Sequence, residues 1–157
     1  MTNRFPRRER RLNQLLLRSV GVPYRFGGRG MTGIDCSSLL IRAIRMSVRQ
    51  TVAKLPWMTA NQIALGHRDI TVPATDPSTP SACLLAFFDW DEDDIYEHAA
   101  ARLLDKTWIW ASTSVGRVIH VDPCSTTTWD RQWREIEGAL DGSKSTLRIV
   151  NWLGLVS

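Results

Sequence analysis

The sequence is poor in the residues that staple or metallate a small fold. Its three cysteines, Cys36, Cys83 and Cys124, are an odd, sparse set, which argues against a disulfide framework. No C-x-x-C pair occurs, so a structural zinc site has no spacing to rest on, and no metal or cofactor is expected. Histidine is as scarce: only His67, His98 and His120 are present. No run of about 18 apolar residues exists, which excludes a transmembrane helix on hydropathy. The N-terminal stretch MTNRFPRRERRLNQLLLRSV is basic but has no continuous apolar region or small-residue cleavage site, so it does not read as a secretory signal. There is no internal repeat and no low-complexity segment.

What is present is ordinary for a globular chain: 43% hydrophobic and 23% charged residues. A length of 157 residues fits one domain, 1–157, and such a domain buries roughly 68–70% of its unfolded surface. The net charge is +4, with Arg4, Arg7, Arg8, Arg10 and Arg11 clustered at one end. The cluster is either a solvated helix start or a contact for an anionic partner. Positive charge near a helix N-terminus opposes the dipole, which favours the partner reading somewhat.

Leu12, Leu15, Leu16 and Val20 share one face of a helix expected over Arg7 to Val20. Gly21-Val22-Pro23 ends it, and a loop with four glycines follows from Tyr24 to Gly33. A second helix is expected from Cys36 to Arg49, with Leu40, Ala43, Ile44, Ser47 and Val48 on one stripe and Cys36 on the same face. Leu55 to Gly66 reads as a short helix or turn, and Thr71 to Ser81, with three prolines, as a loop. Strands are expected at Leu84–Phe88, His98–Leu104, Thr107–Ser112, Gly116–Val121 and Thr146–Val150, with a helix over Thr128–Leu140. Helices first and a strand meander second give an α+β domain.

Asp35-Cys36-Ser37 opens the second helix, directly after the glycine loop. At a helix start the backbone N–H groups lack partners and the dipole favours negative charge. Cys36 is therefore biased toward the nucleophilic thiolate. Cys83 heads the apolar run CLLAFF and reads as a buried small hydrophobe, while Cys124 carries no chemical signal. A cysteine nucleophile needs a base. His98 opens HAAARLL, whose alanines leave room for substrate, His120 lies two strands later, and His67 sits in a loop-like context.

The stretch GVPYRFGGRGMTGIDCSSLL closely resembles the nucleophile motif of the NlpC-type cell-wall peptidases, a papain-like cysteine peptidase family of bacteria and phages. Pro23, Tyr24, Gly27, Gly28, Asp35, Cys36 and Ser37 carry the match. Leu55-Pro56 with Gln62, Phe87-Phe88, His98 and Ala111-Ser112 follow in the family's order. The match covers about residues 12–121, leaving 122–157 as an extension. It implies an α+β papain-like domain with N-terminal helices packed on an antiparallel sheet. It also implies Cys36 as nucleophile, His98 as general base, and Tyr24 as a second oxyanion donor beside the Cys36 N–H. Asp35 and Ser37 would bind the free amine of a peptidoglycan stem peptide, commonly cut after a γ-linked D-glutamate. Asp35 also reads as an N-cap. No nucleic-acid partner is expected. Without a signal peptide, such an enzyme would be made in the cytoplasm and reach the wall by lysis, dedicated export or on a virion, which suggests a phage lysin or tail-associated hydrolase.

The chain also departs from the family. Ser38 replaces a glycine, and Cys83-Leu84 a glycine-aspartate pair. Trp110 stands where the polar residue that orients the imidazole belongs, and an indole N–H cannot accept the imidazole proton. His120, a backbone carbonyl or no third group would fill that role. This departure motivates an alternative, a docking subunit of a phage tail or secretion assembly that keeps the fold. Asp89, Asp91, Glu92, Asp93 and Asp94 read as a solvated acidic loop or a hard-cation site. The seven tryptophans read as core, with Trp129, Trp133 and Trp152 as a glycan or docking face in the sharper reading.

Overall fold

The computed structural model describes residues 7–47, 56–65, 71–73, 84–88, 93–122 and 147–152. The apolar stripe near the N-terminus forms α1, Arg7–Arg18, and buries Leu12, Leu15 and Leu16. Val20 does not join them. The helix stops two residues earlier, so its phase is lost and Val20 is 44% exposed, while Val22 is buried instead. Helix α2, Cys36–Ser47, is buried on nearly every side, including Cys36, Leu40, Ala43, Ile44 and Ser47 of the expected stripe. It lies between α1 and the sheet. A short α3, Ala60–Ala64, is closed by a capping box between Thr59 and Gln62.

The strands are β1 (Arg29–Gly30), β2 (Gly33–Ile34), β3 (Thr71–Pro73), β4 (Leu84–Phe88), β5 (His98–Arg102), β6 (Trp108–Ser112), β7 (Arg117–Val121) and β8 (Leu147–Trp152). β1 and β2 form a hairpin inside the glycine loop. The others make one antiparallel sheet in the order β3-β8-β4-β5-β6-β7. This is an α+β fold with N-terminal helices packed on an antiparallel sheet. The expected meander is present as β4 to β7. Two expectations are corrected. Thr71–Pro73 is an edge strand paired to β8, because proline is tolerated where no further neighbour needs its N–H. The strand from His98 ends at Arg102, since Leu103 N–H closes a turn onto the Thr107 carbonyl at 2.7 Å.

Alternation divides the sheet into two faces. Ala99, Ala101, Ile109, Ala111 and Val118 share the core with α1 and α2. Ala100, Trp108 and Trp110 are buried outside that cluster. Every residue of the HAAAR strand is thus buried. No helix among the described residues is long and apolar enough to cross a membrane. His67, Cys83, Cys124, Asp89, Trp90, Asp91, Glu92, Trp129, Trp133 and the expected helix at 128–140 lie outside the described residues.

The glycine loop is held by contact of backbone on backbone. A Cβ on Gly28 would stand 2.3 Å from the Gly33 carbonyl oxygen, whereas one on Gly30 would meet nothing within 4 Å. Gly28→Ala is expected to cost about 1–3 kcal/mol in urea unfolding, as overpacking does. Gly30→Ala should stay within about 1 kcal/mol of wild type; equal losses would contradict this account of the loop.

Candidate active site

The loop from Pro23 to Asp35 is tied at every turn. Ile34 N–H donates to the Pro23 carbonyl, Arg25 N–H to the Ile34 carbonyl and Asp35 N–H to the Gly28 carbonyl. Gly27 adopts φ 74°, a conformation open to glycine at little cost. Asp35 then caps α2. Its Oδ1 accepts from Ser38 N–H at 2.8 Å and from the Ser37 hydroxyl at 3.2 Å. Its Oδ2 accepts from Gly27 N–H at 3.0 Å. One carboxylate therefore fixes the helix start and the glycine turn together.

Cys36 is the first residue of α2 and is only 7% exposed. Its thiol faces the Glu97 carbonyl, with Sγ···O 3.9 Å, and the Ala99 N–H also points at the sulfur. Residues 97 and 99 direct these groups from the same edge of the strand, and Leu103, of the same parity, bonds toward β6. Pairing of β5 with β6 is confined to Ala101↔Ile109 and Arg102↔Trp108. At the start of β5, Cys36 therefore stands where a β6 partner would be, against the backbone on either side of His98. His98 is itself buried, at 4% exposure.

Burial governs the thiol. Desolvation pushes Cys36 up to about 11 from an ordinary value of 9.0, and the Asp35 charge adds to it. The N–H groups of Ala99, Ser37 and Cys36 oppose the shift without overcoming it. The expected thiolate bias of a helix start is thus reversed, because the sulfur has lost its water. Tyr24 is half-buried, and its phenol is raised by desolvation and by the charges of Cys36 and Asp35. Tyr24 consequently keeps its proton and lies within electrostatic reach of both. Tyr24, Asp35, Cys36 and Ser37 form one cluster, with His98 on the facing strand.

Two candidates fall elsewhere. His120 is paired in register with Ile109 and bonds through Nε2 to Thr107 Oγ1 at 2.6 Å, with Asp105 behind the threonine. It sits two strands from His98 at the opposite end of β6, so it does not orient that ring. Trp110 is fully buried, and among the described residues its Nε1 has no hydrogen-bond partner. Gln62, matched to the family's glutamine, is a capping residue, with Oε1 accepting from Thr59 N–H at 2.9 Å. Ser112 anchors the β6–β7 turn by accepting from Val115 N–H. Asn61 was not singled out by sequence, yet its Oδ1 accepts from Tyr96 N–H at 3.0 Å and fixes the approach to β5. No periodicity marks such a contact, which spans 35 residues. Among the described residues no group of three or more His, Cys, Asp or Glu side chains could hold a metal ion.

No family model and no curated protein matches the chain. Solved structures do. The chain is similar to the NlpC/p60 domain of the peptidoglycan hydrolase SagA, with TM-score 0.57 and 17% identity over 91% of this chain and 97% of that one. NlpC1 from Trichomonas vaginalis matches with TM-score 0.60 and 21% identity over 81% of this chain, which spans 43% of that protein. RipB, a peptidoglycan hydrolase from Mycobacterium tuberculosis, gives TM-score 0.52 and 21% identity over 94% and 68% of the two chains. These likenesses establish the NlpC/p60 fold.

Two outcomes follow from the geometry. Asp35→Ala is expected to destabilise by about 1–2 kcal/mol in denaturant unfolding and Asp35→Asn by less, because the amide oxygen still caps. A thiol raised to about 11 should alkylate slowly in the free protein. With iodoacetamide at neutral pH, Cys36 should react at least about tenfold more slowly than free cysteine, and faster as pH rises toward its titration. Rapid labelling that persists into mild acid would instead reveal a resting thiolate–imidazolium pair.

Proposed function

We propose that the chain is a cysteine endopeptidase that cuts the stem peptides of bacterial peptidoglycan. One observation carries the reading: the sulfur of a helix-start cysteine lies against the backbone bracketing a buried histidine. That arrangement occurs within a fold shared with proteins named as peptidoglycan hydrolases.

The chemistry begins from a neutral thiol. As substrate approaches, His98 takes the Cys36 proton while Sγ bonds to the peptide carbonyl carbon. The oxyanion is met by the Cys36 N–H at the helix start and by the Tyr24 hydroxyl, which its raised pKa keeps protonated. His98 then passes the proton to the leaving amine, the C–N bond breaks, and water hydrolyses the thioester. Of roughly four lone-pair sites on an ionised carboxylate, Asp35 uses three within the protein. The remaining site on Oδ2, with Ser37 beside it, suits the free amine of a stem peptide. The setting that goes with this reading is a phage or prophage product, either a lysin or a tail-associated hydrolase that meets the wall on lysis or on a virion.

A second reading, a docking subunit that keeps the fold without turnover, is favoured by Trp110, whose indole cannot accept the imidazole proton. Digestion of purified peptidoglycan, followed by mass spectrometry of the fragments, separates the two. Wild type should release stem-peptide fragments cut within the peptide. Cys36→Ala should release none, and His98→Ala should be slower by about 10²–10⁴-fold. A folded wild type as inert as Cys36→Ala favours the docking subunit, and cleavage at the sugar–peptide amide makes the enzyme an amidase.

A further inference from the structure

The arginine cluster at the N-terminal end of the sequence takes no part in the reaction above. Charge is divided unevenly along the chain. Residues 1–54 hold twelve Arg and Lys against two acids, Glu9 and Asp35, whereas residues 55–157 hold eight against fourteen. Helices α1 and α2 and the glycine loop lie in the first part, and every strand of the large sheet lies in the second. Such asymmetry points to an anionic partner on the helical side.

On that side one helix face is set out for contact. Arg7, Arg11, Gln14 and Arg18 recur at helical spacing and are all exposed, so they form a single row, about 17 Å long at the rise of an α-helix. Leu12, Leu15 and Leu16 of the same helix are buried in the core. Among the described residues, Arg7, Arg11 and Arg18 make no ion pair or side-chain hydrogen bond, whereas Arg10 has an interaction of its own and is not counted in the row. The acids of the surrounding elements do not neutralise it. Glu9 stands two residues from both Arg7 and Arg11, a spacing that turns it to another side of the helix. Helix α2, packed on α1, contains no acid, and Asp35 before it is engaged by Gly27, Ser37 and Ser38. The β5–β6 turn touches α1 where Leu104 N–H donates to Asn13 Oδ1 at 2.9 Å. Its Asp105 is engaged by Thr107 and followed by Lys106. The acidic segment 93–97 is held through Tyr96 to Asn61 of α3, which packs on α2, β4, β5 and β8. Asp122 has an interaction of its own.

The shape of the row selects among anions. It is one side chain wide, which fits a single flexible polyanionic chain better than a planar membrane or a duplex. Helix α1 contains no aromatic residue, so the row offers no platform on which nucleic-acid bases would stack. Because α2 lies between α1 and the sheet, the row looks away from the β5 edge that Cys36 faces. A chain bound there leaves the nucleophile clear.

We propose that Arg7, Arg11 and Arg18 bind a phosphodiester chain of the bacterial wall, a polyol-phosphate polymer, and tether the enzyme beside its substrate. Guanidinium groups suit phosphate through charge-assisted, bidentate bonds. The choice of a wall polymer rests on the peptidase reading, and the test is therefore made on binding. The full chain carrying Cys36→Ala is titrated with a purified glycerol phosphate oligomer, with single-stranded DNA and with phosphatidylglycerol vesicles, all at matched phosphate concentration. The oligomer should bind most tightly, with log affinity falling against log salt at a slope of about −2, as three phosphate contacts give. Adding Arg7→Gln, Arg11→Gln and Arg18→Gln together should weaken the oligomer at least about tenfold and remove most of that slope. Lysine at the three positions should recover part of the loss. If the triple variant is unstable in urea unfolding, the single variants Arg11→Gln and Arg18→Gln, each expected about two- to threefold weaker, give the same reading. Lys106→Gln with Arg117→Gln, which removes two exposed charges elsewhere, should change affinity less than about twofold. No oligomer binding, arginine variants that bind like the parent, an equal loss in the Lys106/Arg117 control, or preference for DNA or vesicles overturns the tether. Oligomer binding by a chain whose Cys36 form releases no peptidoglycan fragments would keep the tether and sink the peptidase.

Discussion

Three hydrogen bonds to the carboxylate of Asp35 hold this site together. One reaches back to Gly27 in the glycine turn, and two reach forward to Ser37 and Ser38 in the first turn of α2. The loop, the cap and the nucleophile are consequently one rigid unit. Tyr24 rides on the same loop, through its bridge to Ile34. The charge of Asp35 is not neutral to the chemistry. It raises both Tyr24 and Cys36, which favours a hydroxyl donor and a protonated resting thiol.

The sheet supplies the other half. Because the β5–β6 ladder stops short of His98, the edge of β5 is open to α2, and the sulfur occupies it. The same burial that gives Cys36 a fixed position removes the solvent that would stabilise its charge. A helix dipole and three N–H groups do not outweigh that loss. In the proposed reaction the thiol therefore starts protonated, and His98 acts as a general base rather than as one half of a standing ion pair.

Much of the fold was legible in the sequence because it rests on local pattern. The helical stripes, the 84–88 strand and the meander through 121 follow from period and turn residues alone. The misses have physical causes. Val20 continued the stripe on paper, but the helix ended at Arg18. Thr71–Pro73 looked like a loop because sheet-edge proline leaves no local trace. The site was half legible: the helix-start cysteine with its capping acid and serine is a contiguous motif. The thiol's raised pKa, the position of His120 at the far end of β6 and the Asn61 link all depend on segments distant in sequence.

The central claim is that Cys36 attacks a stem-peptide carbonyl and carries the acyl group. Acid-quenching a single turnover with stem tetrapeptide and weighing the intact protein tests it directly. The account predicts a transient mass increase equal to the amino-side fragment, localised to Cys36 by peptide mapping and discharged by water or added hydroxylamine. Turnover with no covalent adduct at any quench time, or an adduct mapped to another residue, would contradict it.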